Sequence, residues 1–148
     1  MQPLTSEAFA RLGHWLNQQA GIQNARPGPL LAGGNANVTQ LIESDTGRFV
    51  LRHPPLVAIS DKAAAGISRE YKALVALQGQ APVPRPIAWC DDLGVIGQSF
   101  AVTEWLDGVS LTTQLPTGYA STIDAADHVS ALGCEMIKAL AAVHRADC

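Results

Sequence analysis

Residues 30–52, LLAGGNANVTQLIESDTGRFVLR, read as strand, glycine turn, strand, tight turn, strand. Leu30-Leu31 leads into Gly33-Gly34-Asn35-Ala36-Asn37, Val38 to Ile42 alternates apolar and polar residues, Ser44-Asp45-Thr46-Gly47 turns, and Phe49-Val50-Leu51-Arg52 follows. Paired glycines accept positive φ and a close backbone approach, so several N–H groups can converge on one anion, and a phosphate is the natural guest. Side chains alternate along a strand, which places Val50 and Arg52 on one face and Phe49 and Leu51 on the other. An Arg beside a small apolar residue, one hairpin from a glycine turn, suits phosphate oxygens next to a flat ring. The same residues also suit an ordinary hairpin that ends in an edge Arg.

The next segment decides between these readings. Ser60 is a candidate cap for a helix from Asp61 to about Gln78, with Gly79 as its stop. At 100° per residue, Ala63, Ala64, Ile67, Tyr71, Leu74 and Leu77 form one apolar arc, with Lys62, Arg69 and Lys72 outside it. Glu70 falls inside that arc, where a carboxylate is costly to bury unless it meets a cation. Arg52 is the best-placed cation, because Arg48 starts its strand. The alternative is a Glu70 that lies at the rim in water.

The glycine turn, the basic residue closing the third strand, the helical Glu and a later strand running into Thr103-Glu104-Trp105-Leu106-Asp107-Gly108 together resemble the amino-terminal lobe of a protein-kinase-like fold. More narrowly, Leu31-Ala32-Gly33-Gly34-Asn35-Ala36-Asn37, Phe49-Val50-Leu51-Arg52-His53-Pro54-Pro55, Arg69-Glu70-Tyr71 and Val83-Pro84 resemble the aminoglycoside phosphotransferase (APH) family of small-molecule kinases, in its acyl-CoA-dehydrogenase-associated branch. The resemblance covers nearly the whole chain. It implies an α+β fold: a five-stranded antiparallel sheet with one packed helix and an extra N-terminal helix over residues 1–105, a hinge over 106–121, and the first helix of a carboxyl-terminal lobe over 122–148. It also implies ATP as the ligand, with Gly33, Gly34, Asn35, Ala36 and Asn37 at the phosphates, Val50 against the ring, and Arg52 on phosphate oxygens under the orientation of Glu70. By the same resemblance Thr103 takes the gatekeeper position, the Glu104 carbonyl accepts from the adenine amine and the Leu106 N–H donates to the ring. Without the upstream set, Thr103 to Gly108 would read as a strand end and an Asp-Gly turn.

Composition agrees with a nucleotide-binding lobe and removes other classes. At 148 residues one domain is the default, and 47% hydrophobic content suffices for a core. A net charge of −3 gives no basic field for nucleic acid. Cys90, Cys134 and Cys148 are odd in number and lack CxxC spacing, which suggests neither a disulfide framework nor a zinc site and fits reduced thiols in a cytoplasmic protein. The start shows no basic region followed by an apolar stretch, no apolar run approaches bilayer length, and no repeat is present, so neither a membrane nor a leader is expected.

In chain order, Phe9, Leu12, Leu16 and Ala20 predict a helix from about Glu7 to Ala20, capped by Ser6 and stopped at Gly21. Arg26-Pro27-Gly28-Pro29 reads as a linker, and His53-Pro54-Pro55 as a sheet break. Ala81-Pro82-Val83-Pro84-Arg85-Pro86 is stiff and extended. Ile87 to Cys90 reads as a strand, Asp91 to Gly94 as a turn, and Phe100 to Thr103 as a well-covered central strand. Val129, Leu132, Met136, Leu140 and Val143 line one face of a last helix from about Asp124 to His144, with Thr122 as its cap and an apolar face over 123–144 suited to self-association.

Phosphoryl transfer also needs metal ligands and a residue that orients the attacking hydroxyl. The family places these in a His-x-Asp-x-x-x-x-Asn stretch and a later Asp, neither of which occurs in this sequence. Mg2+ and the small-molecule hydroxyl acceptor are therefore expected only with a missing lobe, and this polypeptide alone is expected not to transfer phosphate. The Arg52 position carries Lys in protein kinases, and a planar, bidentate guanidinium is not its equivalent. Three readings follow: a truncated small-molecule kinase, a non-catalytic nucleotide-binding or regulatory module, and an interaction domain without ligand.

Overall fold

The computed structural model describes residues 3–31, 37–55, 61–109, 111 and 125–147, without the side chains of 61–64 and 125. The chain divides into two compact units, one of Met1–Val75 with Pro84–Trp105 and one of Ala76–Val83 with Leu106–Cys148.

The first unit is built on five strands, β1 (Arg26–Leu30), β2 (Val38–Ser44), β3 (Gly47–His53), β4 (Pro86–Cys90) and β5 (Phe100–Glu104), in the order β1-β2-β3-β5-β4 with every pairing antiparallel. The α+β class and five-stranded antiparallel sheet are as expected. Three helical segments belong to the unit: α1 (Ser6–Ala20), α2 (Asp61–Leu77) as far as Val75, and the four-residue α3 (Leu93–Ile96). One sheet face carries Ile42, Leu51, Ala88, Cys90, Phe100 and Val102, which close a core with Phe9, Leu12 and Leu16 of α1 and with Val95 and Ile96 of α3. Trp15 meets Phe100 edge-on at 5.0 Å between ring centroids.

The α1 apolar stripe is buried as its spacing predicts, and Gly21 ends it with φ 65°. The cap is Thr5 rather than Ser6: the Thr5 hydroxyl accepts from the Ala8 N–H at 3.2 Å. Both residue types cap helices, and the backbone turns at Thr5, which holds extended dihedrals. Thr5→Ala is expected to cost about 1 kcal/mol in urea unfolding, against a few tenths for Ser6→Ala.

Two further expectations are corrected. Arg26 to Pro29 is not a linker but most of β1, because an edge strand pairs on one side only and tolerates prolines that face away from the ladder. Gly28 is required there: a Cβ on it would lie 2.9 Å from both Cβ and Cγ of Leu41 on β2. Asp91 to Gly94 is not a simple turn, since Asp92 caps α3 by accepting from the Gly94 N–H at 2.8 Å. Arg11 ties α1 to that segment by donating from Nε to the Val95 carbonyl at 3.0 Å. Four helical residues are too few to show a period, so the sequence carries only the cap.

In the second unit, α4 (Ala125–Arg145) forms where the apolar spacing places it. Gln80 closes a two-way bridge with Asp147, donating to its carbonyl at 3.3 Å and accepting from its N–H at 3.0 Å. Val129, Met136, Ile137, Leu140 and Val143 are exposed. The expected caps Ser60 and Thr122 lie outside the described residues. Among the described residues no helix is long and apolar enough to cross a membrane.

Candidate functional site

The site residues of the first unit follow from strand register. On β3, Val50 stands opposite Leu41 of β2 and Thr103 of β5, while Arg52 stands opposite Thr39 and Ala101. Alternation puts these residues on the sheet face away from the α1 core. Glu70, three residues after the fully buried Ile67 on α2, meets Arg52 there: Arg52 Nη1 donates to Glu70 Oε1 at 2.6 Å. Each side chain is about a third exposed, at 32% and 38%. The ion-paired alternative for Glu70 is thus the observed one. Arg52 Nε is buried and has no partner among the described residues, and the same holds for Oδ1 of Asn37, the residue just before β2. A donor and an acceptor are left open near the start of β2 and the end of β3.

Thr103 is buried at 8% exposure, cross-strand from Val50. Glu104 uses its side chain on the backbone, accepting from the Arg85 N–H at 2.7 Å, with its other oxygen 3.7 Å from Arg85 Nε. Its own N–H donates to the Arg85 carbonyl at 2.9 Å, so the strand end is clamped onto the segment before β4. Trp105 continues this anchoring by donating its N–H to the Arg48 carbonyl, with the Arg48 guanidinium 5.4 Å from its ring. Leu106 is exposed and opens the second unit. Gly33, Gly34, Asn35 and Ala36 lie outside the described residues. Among the described residues no group of three His, Cys, Asp or Glu side chains gathers to hold a metal ion.

Sequence reasoning passed over His53, which is fully buried at the end of β3. Its Nδ1 lies 2.6 Å from the Pro54 carbonyl, which only accepts, so Nδ1 carries the proton and the neutral ring leaves Nε2 buried without a partner among the described residues. Burial pushes the His53 pKa below its ordinary value, and the bond to Pro54 pulls the other way more weakly. The unfolded chain then binds a proton that the folded chain refuses. This contribution to stability is fully present above about pH 6.5 and is lost as pH falls below that toward the folded value. The urea midpoint of the wild type is expected to drop between about pH 7.5 and about pH 5.5, and that of His53→Asn to drop less. The only signal in the sequence was a His against two prolines.

Burial also pushes the Cys90 thiol up, and its Sγ lies 3.8 Å from the Asp92 carbonyl, which marks a packing thiol rather than a nucleophile.

Three comparisons bear on this arrangement. The profile of the phosphotransferase enzyme family APH matches residues 28–148. The acyl-CoA-dehydrogenase-named protein IBR3 of Arabidopsis thaliana is 35% identical over 121 residues, covering 77% of this chain and 14% of that protein. Acyl-CoA dehydrogenase family member 11 of Homo sapiens is 38% identical over 76 residues, covering 51% of this chain and 10% of that protein. A crystal structure from Ralstonia eutropha, of a protein assigned to the aminoglycoside phosphotransferases, superposes with a TM-score of 0.54 at 30% identity, over 78% of this chain and 32% of that one. The chain thus spans a small part of the length of each. With a kinase-like sheet order, an Arg52–Glu70 pair on the face away from α1 and a family match running from β1 onward, the chain belongs to the APH phosphotransferase enzyme family.

Proposed function

We propose that this chain supplies the nucleotide-binding part of a small-molecule kinase that moves the γ-phosphate of ATP to a hydroxyl group. The observation that carries the reading is the Arg52–Glu70 pair at 2.6 Å with Arg52 Nε buried and without a partner among the described residues. A guanidinium that spends one nitrogen on a carboxylate and keeps another donor free is oriented for an anionic oxygen. Glu70 fixes the plane of the fork, and the free edge meets phosphate. Val50, cross-strand from Thr103, offers a small, half-covered surface for a flat base. The glycine turn before Asn37 would supply backbone N–H groups to the same phosphates.

ATP, when bound, supplies the phosphoryl group, and this chain's residues bind and orient it. No His-x-Asp-x-x-x-x-Asn stretch occurs within these 148 residues, so the roles proposed for them are binding and orientation of the nucleotide only. Calorimetric titration of the chain with Mg-ATP tests the binding half of the proposal. Saturable heat is expected, and its absence at millimolar nucleotide would leave an interaction domain without ligand.

A further inference from the structure

A second concave site lies on the same sheet face, on the far side of Ala101 from Arg52. Trp89 of the edge strand β4 stands opposite Ala101, which itself stands opposite Arg52. Ser68, Tyr71, Lys72 and Val75 of α2 are spaced i, i+3, i+4 and i+7, which places them on one stripe of the helix. With Trp89 that stripe lines an open pocket of about 310 Å³ within the first unit. Its volume sits at the small end of the range that holds drug-sized ligands. The Tyr71 and Trp89 rings are 5.9 Å apart at 35°, already in contact, so they form one continuous aromatic wall rather than a slot. Val75 is 52% exposed at the rim although it is fully apolar.

The polar groups of this pocket are few and of one sign. Lys72 lies in the middle of the stripe, is exposed, and has no carboxylate partner among the described residues. Glu70, on the same helix, is committed to Arg52. An aromatic wall with one unpaired ammonium and a serine hydroxyl matches a flat apolar body that bears a single negative charge.

We propose that the pocket between α2 and β4 is a binding site for a small aromatic carboxylate, its ring on Trp89 and Tyr71 and its carboxylate on Lys72. The site is separate from the nucleotide reading, since none of its five lining residues belongs to the set assigned to ATP. It also has a structural consequence. Tyr71 follows Glu70 directly, so a ligand laid across Tyr71 and Trp89 braces the helix next to the ion pair.

The test is titration of the chain, without nucleotide, with 2-naphthoate and with its uncharged analogue 2-naphthalenemethanol, followed by calorimetry. Saturable binding of the acid is expected, about fivefold tighter than that of the alcohol. Lys72→Gln is expected to bring the acid down to the level of the alcohol, and Val75→Glu, which sets a carboxylate at the rim, to weaken the acid about fivefold and the alcohol much less. Both positions are exposed, so neither change threatens folding. No saturable binding, equal binding of acid and alcohol, or affinities untouched by both substitutions would overturn the proposal.

Discussion

Arg52→Ala is expected to lower Mg-ATP affinity by about ten- to a hundredfold while leaving the chain folded. A charge-assisted hydrogen bond to phosphate is worth about 1.5–3 kcal/mol, and Arg52 is the cation of the described site whose second donor is open. The stability cost is much smaller. Arg52 and Glu70 are each about a third exposed, so water can take over much of the carboxylate's solvation when the guanidinium is removed. For such a pair the loss is about 1 kcal/mol or less. Calorimetry and urea unfolding on the same variant therefore separate a binding role from a structural one. Arg52→Lys keeps the charge and loses the fork, which predicts an intermediate affinity. Glu70→Gln keeps the shape and weakens only the hold on the guanidinium, so its affinity loss is expected to be the smallest of the three. An Arg52→Ala chain that binds Mg-ATP as well as the wild type would sink the assignment of Arg52 to phosphate.

The largest stability effect is expected at Phe100. Its side chain is completely buried in β5, between β3 and β4, and takes the edge contact of Trp15 from α1. Truncation to Ala removes the ring from the centre of the core and leaves a cavity bounded by α1 and the sheet, at a cost of about 3–5 kcal/mol. Against a total stability of about 5–15 kcal/mol for a small domain, that consumes much of the margin and lowers the melting temperature by about 15 °C or more. Phe49, half-buried on the same sheet face, gives the comparison: Phe49→Ala is expected to cost clearly less. A Phe100→Ala chain that melts within a few degrees of the wild type would mean that α1 does not close the core over the sheet.

Much of this is legible in the sequence. Leu12 and Leu16 announced α1 by their spacing, the glycines and Asp45-Thr46 separated the strands, and alternation put Val50 and Arg52 on one face. Arg52 and Glu70 were identifiable as partners because a carboxylate in an apolar arc needs a cation and only one strand-borne cation was suitably placed. Where reading failed, a local rule met a non-local fact. Prolines argued for a linker at Arg26 to Pro29, but an edge strand has one unpaired side that does not need their missing N–H. His53 looked like part of a sheet break, yet the packing around it buries the ring completely. Trp89 and Tyr71 gave no sign of meeting, since their sequence separation says nothing about which face of β4 turns toward α2.

By itself, then, the order of residues determined the longer helices, strands β2 to β5, the buried stripe of α1 and the family, because periodicity and turn chemistry act over a few neighbours at a time. Folding in three dimensions alone decided that Thr103 lies across from Val50, that Arg52 keeps a donor without a partner among the described residues, and that Trp89 lines a pocket with α2. Those outcomes depend on cross-strand register and on the seating of a helix over a sheet, and both are set by contacts between residues far apart in the chain.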